Sequence, residues 1–344
     1  MEVFNKYKDV ITRALNNDLG QPRYVEESFS EKRFYDSFAP KDYSANAYLK
    51  DKNTLSLTNS SLTDIASKLG VTIIQDPQIG QHPDFRYLKG TTETEEHYII
   101  SAFIDIKNST GLFKKYNNET VYIVTNAIQL LAINVCSVFG GFVQRLQGDG
   151  VFVYFGRKGL DEKKATLHAL TALSLFTYFI KNEVRVIFEQ KGLEPIYTRI
   201  GIDHGGMSEV LWAMAGTDDI SEIATYSLHT SLASKMQGYA KSNQIVIGKN
   251  IIDTASLEST LYSPVEEKRY IFEDRGHNFY YGQYTFDWST FLKKQSLFVT
   301  SHHTGKIEIK PETQISTIDT FKSNALKDIA STNKPYHNAV RFRK

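Results

Sequence analysis

The sequence contains one cysteine, Cys136, so no disulfide can staple the chain internally. A lone thiol in an apolar helical run fits a reducing compartment and a buried, inert role. Charge of one sign is also missing: 40 Lys and Arg face 39 Asp and Glu, a formal net charge of +1. That balance argues against a nucleic-acid partner and a polybasic membrane anchor, so any charge effect must be local. The longest apolar run, Ala127 to Val143, is interrupted by Gln129, Asn134 and Ser137, and falls short of the roughly 20 residues that span a bilayer. Met1 to Asp18 carries Glu2, Asp9 and Asp18 and has no apolar core, so no export signal is read there and a cytoplasmic location is expected. Fixed-period repeats and low-complexity tracts are absent, which excludes solenoids and propellers. His82, His204, His229, His302 and His303 have no spacing that suggests zinc ligands.

What remains is ordinary globular material, 41% hydrophobic and 23% charged. Residues 1–96 are polar and turn-rich. They read as an N-terminal extension with helices at Asn5 to Asn16 and Ser61 to Leu69, the first a possible dimer contact. Residues 97–285 alternate strand and helix patterns, the signature of a layered α+β domain. Tyr98 to Ile106 reads as a strand, Val121 to Phe139 as a helix, and Phe142 to Leu146 with Val151 to Phe155 as a hairpin around Gly148-Asp149-Gly150. A long helix over Glu162 to Gln190, a strand over Ile196 to His204, a helix over Ser227 to Tyr239 and a strand over Gln244 to Ile247 follow. A late hairpin turns at Asp274-Arg275-Gly276, and 286–344 read as a polar tail.

Two carboxylates draw attention. Asp105 ends an apolar strand, and Asp149 sits at a hairpin tip. Singly, the first reads as a helix cap and the second as a turn residue. Together, on neighbouring strands, they can hold two divalent ions about 4 Å apart, the arrangement that serves phosphoryl transfer. Lys107, Asn108 and Ser109 follow Asp105 where backbone N–H groups at a helix start would favour a phosphate. Ser231 and Lys235 lie four apart on one helical face, so Lys235 can meet charge developing on a phosphate.

Phe103-Ile104-Asp105-Ile106, the run Arg145 to Gly150, the run Arg199 to Gly205 and the run Ser231 to Met236 resemble, in order and spacing, the successive motifs of class III nucleotidyl cyclase domains. The resemblance implies a ferredoxin-like domain acting as a head-to-tail homodimer with composite sites. It further implies Asp105, Asp149 and the carbonyl of Ile106 as ligands for two Mn²⁺ or Mg²⁺ ions. One ion would polarise the ribose 3′ oxygen and the other would hold the triphosphate. Ser231 and Lys235 stand where the family has an Asn and an Arg, and Arg275 stands for a phosphate-binding Lys. Gln147-Gly148-Asp149-Gly150 is not the loop of a diguanylate cyclase.

At the base-reading positions the family's adenine partners are replaced by Arg145 and Ala224. Ala224 cannot accept from an adenine amino group, and Arg145 offers guanine no acceptor. Arg145 can donate to pyrimidine carbonyls, with Tyr98, Phe142, Thr225 and Tyr226 as neighbours. The combination resembles the pyrimidine cyclases of Pycsar antiphage systems, whose cyclic UMP or cyclic CMP is sensed by a separate effector. Uracil is preferred, because its two carbonyls suit a donor-only Arg whereas cytosine needs an acceptor for N4. An adenylate cyclase with an altered base pocket and a degenerate nucleotide-binding domain are the alternatives.

Overall fold

In the computed structural model, residues 4–16, 43–52, 55, 65–71, 77–265, 272–274, 276, 279–301 and 306–309 are described. Helices α1 (Asn5–Asn16) and α2 (Ala45–Lys52) come first, then strands β1 (Thr94–Glu96) and β2 (Ile99–Lys107). Helix α3 (Asn118–Val138) starts where Asn117 accepts a hydrogen bond from the Thr120 N–H at 2.8 Å, a side-chain cap for an otherwise unpaired donor. The hairpin β3 (Gly141–Gln147) and β4 (Gly150–Phe155) leads to α4 (Glu162–Phe179), capped by Asp161. One π-helical turn at Ile180–Val184 joins α4 to α5 (Arg185–Gln190), dividing the single long helix expected from sequence.

Strand β5 (Tyr197–Gly205) precedes a second hairpin, β6 (Leu211–Thr217) and β7 (Ile220–Tyr226). Helix α6 (Leu228–Tyr239), β8 (Gln244–Gly248), α7 (Lys249–Ala255) and β9 (Tyr262–Pro264) follow. The late hairpin is β10 (Phe272–Asp274) with β11 (Phe279–Tyr281). The chain continues into β12 (Gln283–Phe286), α8 (Trp288–Lys294), β13 (Phe298–Thr300) and β14 (Ile307–Ile309).

The main sheet has seven strands in the order β3-β4-β2-β5-β8-β12-β9. Its first four strands, linked as β2-α3-β3-β4-α4-β5 with β2 antiparallel to both β4 and β5, make the ferredoxin-like βαββαβ arrangement. Among the described residues only β5 and β8 pair in parallel, across the connection that holds α6. Ile100, Ala102 and Ile104 point to one face of the sheet, Phe103 and Asp105 to the other, by the two-residue period of a strand. Helix α6 covers the second face. A Cβ on Gly201 would lie 2.1 Å from the Ala233 carbonyl, so only glycine allows that approach. The β1-β6-β7 sheet joins this face through a core of Phe85, Phe142, Phe152, Tyr154 and Trp212.

Helix α3 is 21 residues long and apolar enough to cross a membrane by length and composition, but 67% of its most apolar stretch is buried inside the protein. Part of that cover comes from α1, whose buried Tyr7, Val10 and Ile11 pack on α3. The apolar face of α1 is therefore used within the chain. Burial pushes the thiol of Cys136 up to about 12, which makes it a packing residue. The described residues up to Leu292 form one compact unit, and those from Lys293 onward belong to a second. Within the second, β13 and β14 pair antiparallel, so this stretch of the expected polar tail is folded.

Candidate functional site

Asp105 lies near the end of β2, opposite Arg199 of β5, and the two side chains share a face of the sheet. Arg199 Nε donates to Asp105 Oδ2 at 2.9 Å, and Nη2 donates to the same oxygen. After Ile106 and Lys107 the strand ends at Asn108, whose φ of 74° is left-handed. Asn108 is held there by its side-chain amide, which donates to the Pro195 carbonyl at 3.2 Å. The next residues, Ser109–Lys114, form a 3₁₀ turn, so the expected helix start is a tight turn and the long helix begins at Asn118. Ser109 Oγ donates to the Ile106 carbonyl at 3.3 Å, drawing this proposed ligand atom and the turn together.

Asp149 reaches the same end of the sheet from the β3–β4 tip. Gln147 pairs with Gly150, leaving Gly148 and Asp149 as a two-residue loop. Positive φ falls on Gly148 (61°) and not on Asp149, so the turn has its glycine first, as a type II′ turn requires. The Asp149-Gly150 pair does not itself make the turn. Burial pushes the Asp149 carboxyl above the ordinary carboxylate range, against the Ser109 hydroxyl and with the added charge of Asp105. Its Oδ2 is buried without a hydrogen-bond partner.

A groove of about 400 Å³ opens beside this oxygen, lined by Ser109, Thr110, Thr125, Asn126, Gln129 and Asp149. A larger open depression, about 550 Å³, lies over the β8–β12–β9 edge, lined by Lys181, Lys241 and Trp288 among others; it shares no lining residue with the groove and contains no carboxylate pair.

A buried carboxylate oxygen with no donor is open to a ligand that supplies one, a cation among them. The donor set of Asp105, Asp149 and the Ile106 carbonyl is all oxygen, which suits Mg²⁺ or Mn²⁺. Among the described residues no group of three or more His, Cys, Asp or Glu side chains could hold a metal ion, so a cation here would also need ligands from a substrate or solvent.

Arg145 stands on β3 next to a bulge at Gln144, where the pairing with β4 shifts. Without that extra residue Arg145 would face α3. With it, Arg145 lies opposite Phe152, on the face of Phe103 and Asp105. Phe103 and Phe152 stack at 4.0 Å, forming a flat apolar step between Asp105 and Arg145. Arg145 is ion-paired with Glu222 of β7, its Nε 3.3 Å from Oε2.

Thr225 is engaged by the hydroxyls of Tyr154 at 2.7 Å and Thr230 at 3.0 Å. Tyr98 and Phe142 are core residues, with Tyr98 donating to the Leu160 carbonyl at 2.6 Å, while Tyr226 is exposed. Ser231 and Lys235 share the exposed face of α6, and Ser231 Oγ donates to the Ser227 carbonyl at 3.2 Å. Lys107 is exposed at the strand end. Arg275 lies outside the described residues.

Three contributors have no visible signal as such in the sequence. Arg199 becomes the partner of Asp105 through strand register, Glu222 becomes the partner of Arg145 through the placing of the β6–β7 hairpin over β3, and Gln129 shows only as a polar break in an apolar run.

Comparison with known proteins bears on this arrangement. A cytidylate cyclase of Staphylococcus aureus is 41% identical over 227 residues, covering 64% of this chain and 53% of that protein. A cytidylate cyclase of Escherichia coli is 34% identical over 187 residues, covering 53% of this chain and 40% of that protein. The chain is similar to pyrimidine nucleotide cyclases. It spans about half the length of the curated relatives it matches. No protein-family model matches it. Among solved structures, the adenylyl cyclase CyaB from P. aeruginosa is 19% identical with a TM-score of 0.48, covering 56% of this chain and 95% of that one.

Proposed function

We propose that this chain is a cytidylate cyclase, converting CTP to 3′,5′-cyclic CMP and pyrophosphate. The observation that carries the chemistry is the pair Asp105 and Asp149, with an unpartnered buried oxygen beside an open groove. In the reaction the ribose 3′ hydroxyl loses its proton to solvent as its oxygen bonds to the α-phosphorus. The bond from that phosphorus to the β-phosphate oxygen breaks and pyrophosphate leaves.

Asp105, Asp149 and the Ile106 carbonyl would hold two divalent cations, which supply charge neutralisation at the attacking and leaving oxygens. Lys107, Asn108 and Ser109 form the turn over which the triphosphate runs, with Arg275 as a further phosphate contact. Arg199, already beside Asp105, adds fixed positive charge to the phosphate end. Ser231 and Lys235 act from a second copy in a head-to-tail homodimer, Ser231 orienting the ribose and Lys235 meeting the charge on the α-phosphate. The product serves as a second messenger in antiphage defence, read by a separate cyclic-nucleotide-binding effector.

The base choice rests on Arg145 and Glu222, together with the relatives' activity. Cytosine presents acceptors at O2 and N3 and a donor at N4. An arginine paired with a glutamate presents donors next to an acceptor, which supplies the partner for N4 that Arg145 alone lacks. Uracil carries an acceptor where cytosine carries N4, so it would meet the Glu222 carboxylate oxygen to oxygen. The earlier preference for uracil therefore gives way to cytosine. The phenyl step of Phe103 and Phe152 lies between phosphate end and base end, on the path a nucleoside takes. Measuring kcat/KM for CTP and UTP separately tests this. Wild-type protein should prefer CTP, and Glu222→Gln should lower the CTP-to-UTP ratio by about tenfold, since a hydrogen bond to a charged acceptor is worth about 1.5–3 kcal/mol. A wild-type preference for UTP would overturn the base assignment, and products from ATP alone would overturn the pyrimidine reading.

A further inference from the structure

The tip that carries Asp149 is held from outside the hairpin. Gln129, buried midway along α3, donates its side-chain N–H groups to the carbonyls of Gly148 at 3.1 Å and Gly150 at 3.2 Å, the two residues that flank Asp149. Neither carbonyl belongs to the helix, so this fork is the contact by which α3 grips the loop. A two-residue loop with a glycine at its first position is otherwise free to rock about that glycine, and such rocking would swing the Asp149 carboxylate relative to Asp105. Gln129 also lines the groove beside Asp149, which puts the fork at the wall of the cation site.

We infer that Gln129 is a positioning residue, fixing the Asp149 carboxylate at the separation from Asp105 that a divalent cation needs. This rests on the reading of the two aspartates as a metal pair, and it predicts a defect in metal affinity and not in folding. A polar side chain at this point of an apolar helix face needs a reason, since methionine would fill the volume without any polar atom to satisfy. Groups that orient metal ligands typically change affinity by about 10–100-fold when removed.

The test compares full-length wild type, Gln129→Met and Asp149→Ala by electron paramagnetic resonance of free Mn²⁺ during titration, alongside thermal unfolding and the Mn²⁺ concentration for half-maximal cyclisation. Gln129→Met keeps the volume and removes both donors. Its Mn²⁺ affinity should fall about tenfold, with half-maximal activation moving to higher Mn²⁺ by a similar factor and excess Mn²⁺ restoring much of the rate. Asp149→Ala should bind Mn²⁺ more weakly still and stay inactive in excess metal. A Gln129→Met protein with wild-type Mn²⁺ affinity and activation would overturn the positioning role, even with a lower melting temperature. The titration is independent of turnover, so an absence of cyclic product from wild type would count against the cyclase reading while the Mn²⁺ result still decides the role of Gln129.

Discussion

Asp149 and Asp203 are both acidic residues of the main-sheet region, and burial pushes both carboxyls above the ordinary carboxylate range, but their surroundings differ. Asp203, on β5, is fully buried. It accepts from His229 Nδ1 at 2.9 Å, from the Tyr281 hydroxyl at 2.7 Å and from the His204 N–H at 2.9 Å. Asn250 extends the network by donating its backbone N–H to the Tyr281 hydroxyl at 2.9 Å and its side-chain amide to the His204 carbonyl at 2.9 Å. These bonds tie β5, the first turn of α6, α7 and β11 together. Asp149 has an oxygen with no partner and a groove beside it. The difference separates a carboxylate whose needs the fold has met from one left for a ligand to meet. Position along the chain could not separate them, because each lies in a stretch that resembles a cyclase motif.

That contrast is open to attack by substitution. Asp203→Ala takes the shared acceptor from the Tyr281 hydroxyl, the His204 N–H and His229 Nδ1, and should cost about 3–5 kcal/mol in denaturant unfolding. A loss under about 1 kcal/mol would mean the network is dispensable. Asp149→Asn removes a half-buried charge that burial opposes and one of whose oxygens lacks a donor, so stability should be unchanged or slightly raised in the absence of metal, and a clear fall would place Asp149 in the same class as Asp203. The smallest effect concerns pH. Burial opposes the charged form of His229, but the Asp203 carboxylate, with Glu209 beyond it, outweighs burial and raises the imidazole above its ordinary value. A raised histidine stabilises the fold fully below the unfolded histidine value, near 6.5, and loses that contribution as pH rises through the folded value. The melting-temperature gap between wild type and His229→Gln should therefore narrow as pH is raised through neutrality into the alkaline range. A gap that widens would contradict the pairing.

The sequence shows the architecture well wherever one residue pattern decides it. Helix α3, the β3–β4 hairpin and β5 follow from apolar periodicity and short turns, and the order of strands and helices leads to the ferredoxin-like core seen in β2 to β5. The β6–β7 hairpin is not visible in that way, because its strands are rich in small and polar residues and joined at Asp218-Asp219, a weak turn signal beside Asn-Gly or Asp-Gly. Asp105 and Asp149 stand out because a charge at a strand end and a charge at a hairpin tip are each conspicuous. Glu222 does not, because its importance comes from lying across from Arg145, and that depends on a bulge at Gln144 and on how a second sheet sits over the first. The proposed base changes from uracil to cytosine partly for that reason, beside the cytidylate cyclase relatives: Arg145 viewed by itself only donates, and its partner is 77 residues away in sequence.

The central claim is that Asp105 and Asp149, the second with an unpartnered oxygen, form the site of cyclisation. Purified wild type and Asp149→Asn, matched for melting temperature, should each be incubated with Mn²⁺ and an equimolar mixture of ATP, GTP, CTP and UTP, and the cyclic products identified by mass spectrometry. The account predicts cyclic CMP as the dominant product of wild type and a fall of about a hundredfold or more in Asp149→Asn, beyond the range expected for a residue that only supports a ligand. Equal cyclic nucleotide from both proteins, or none from wild type, would contradict it.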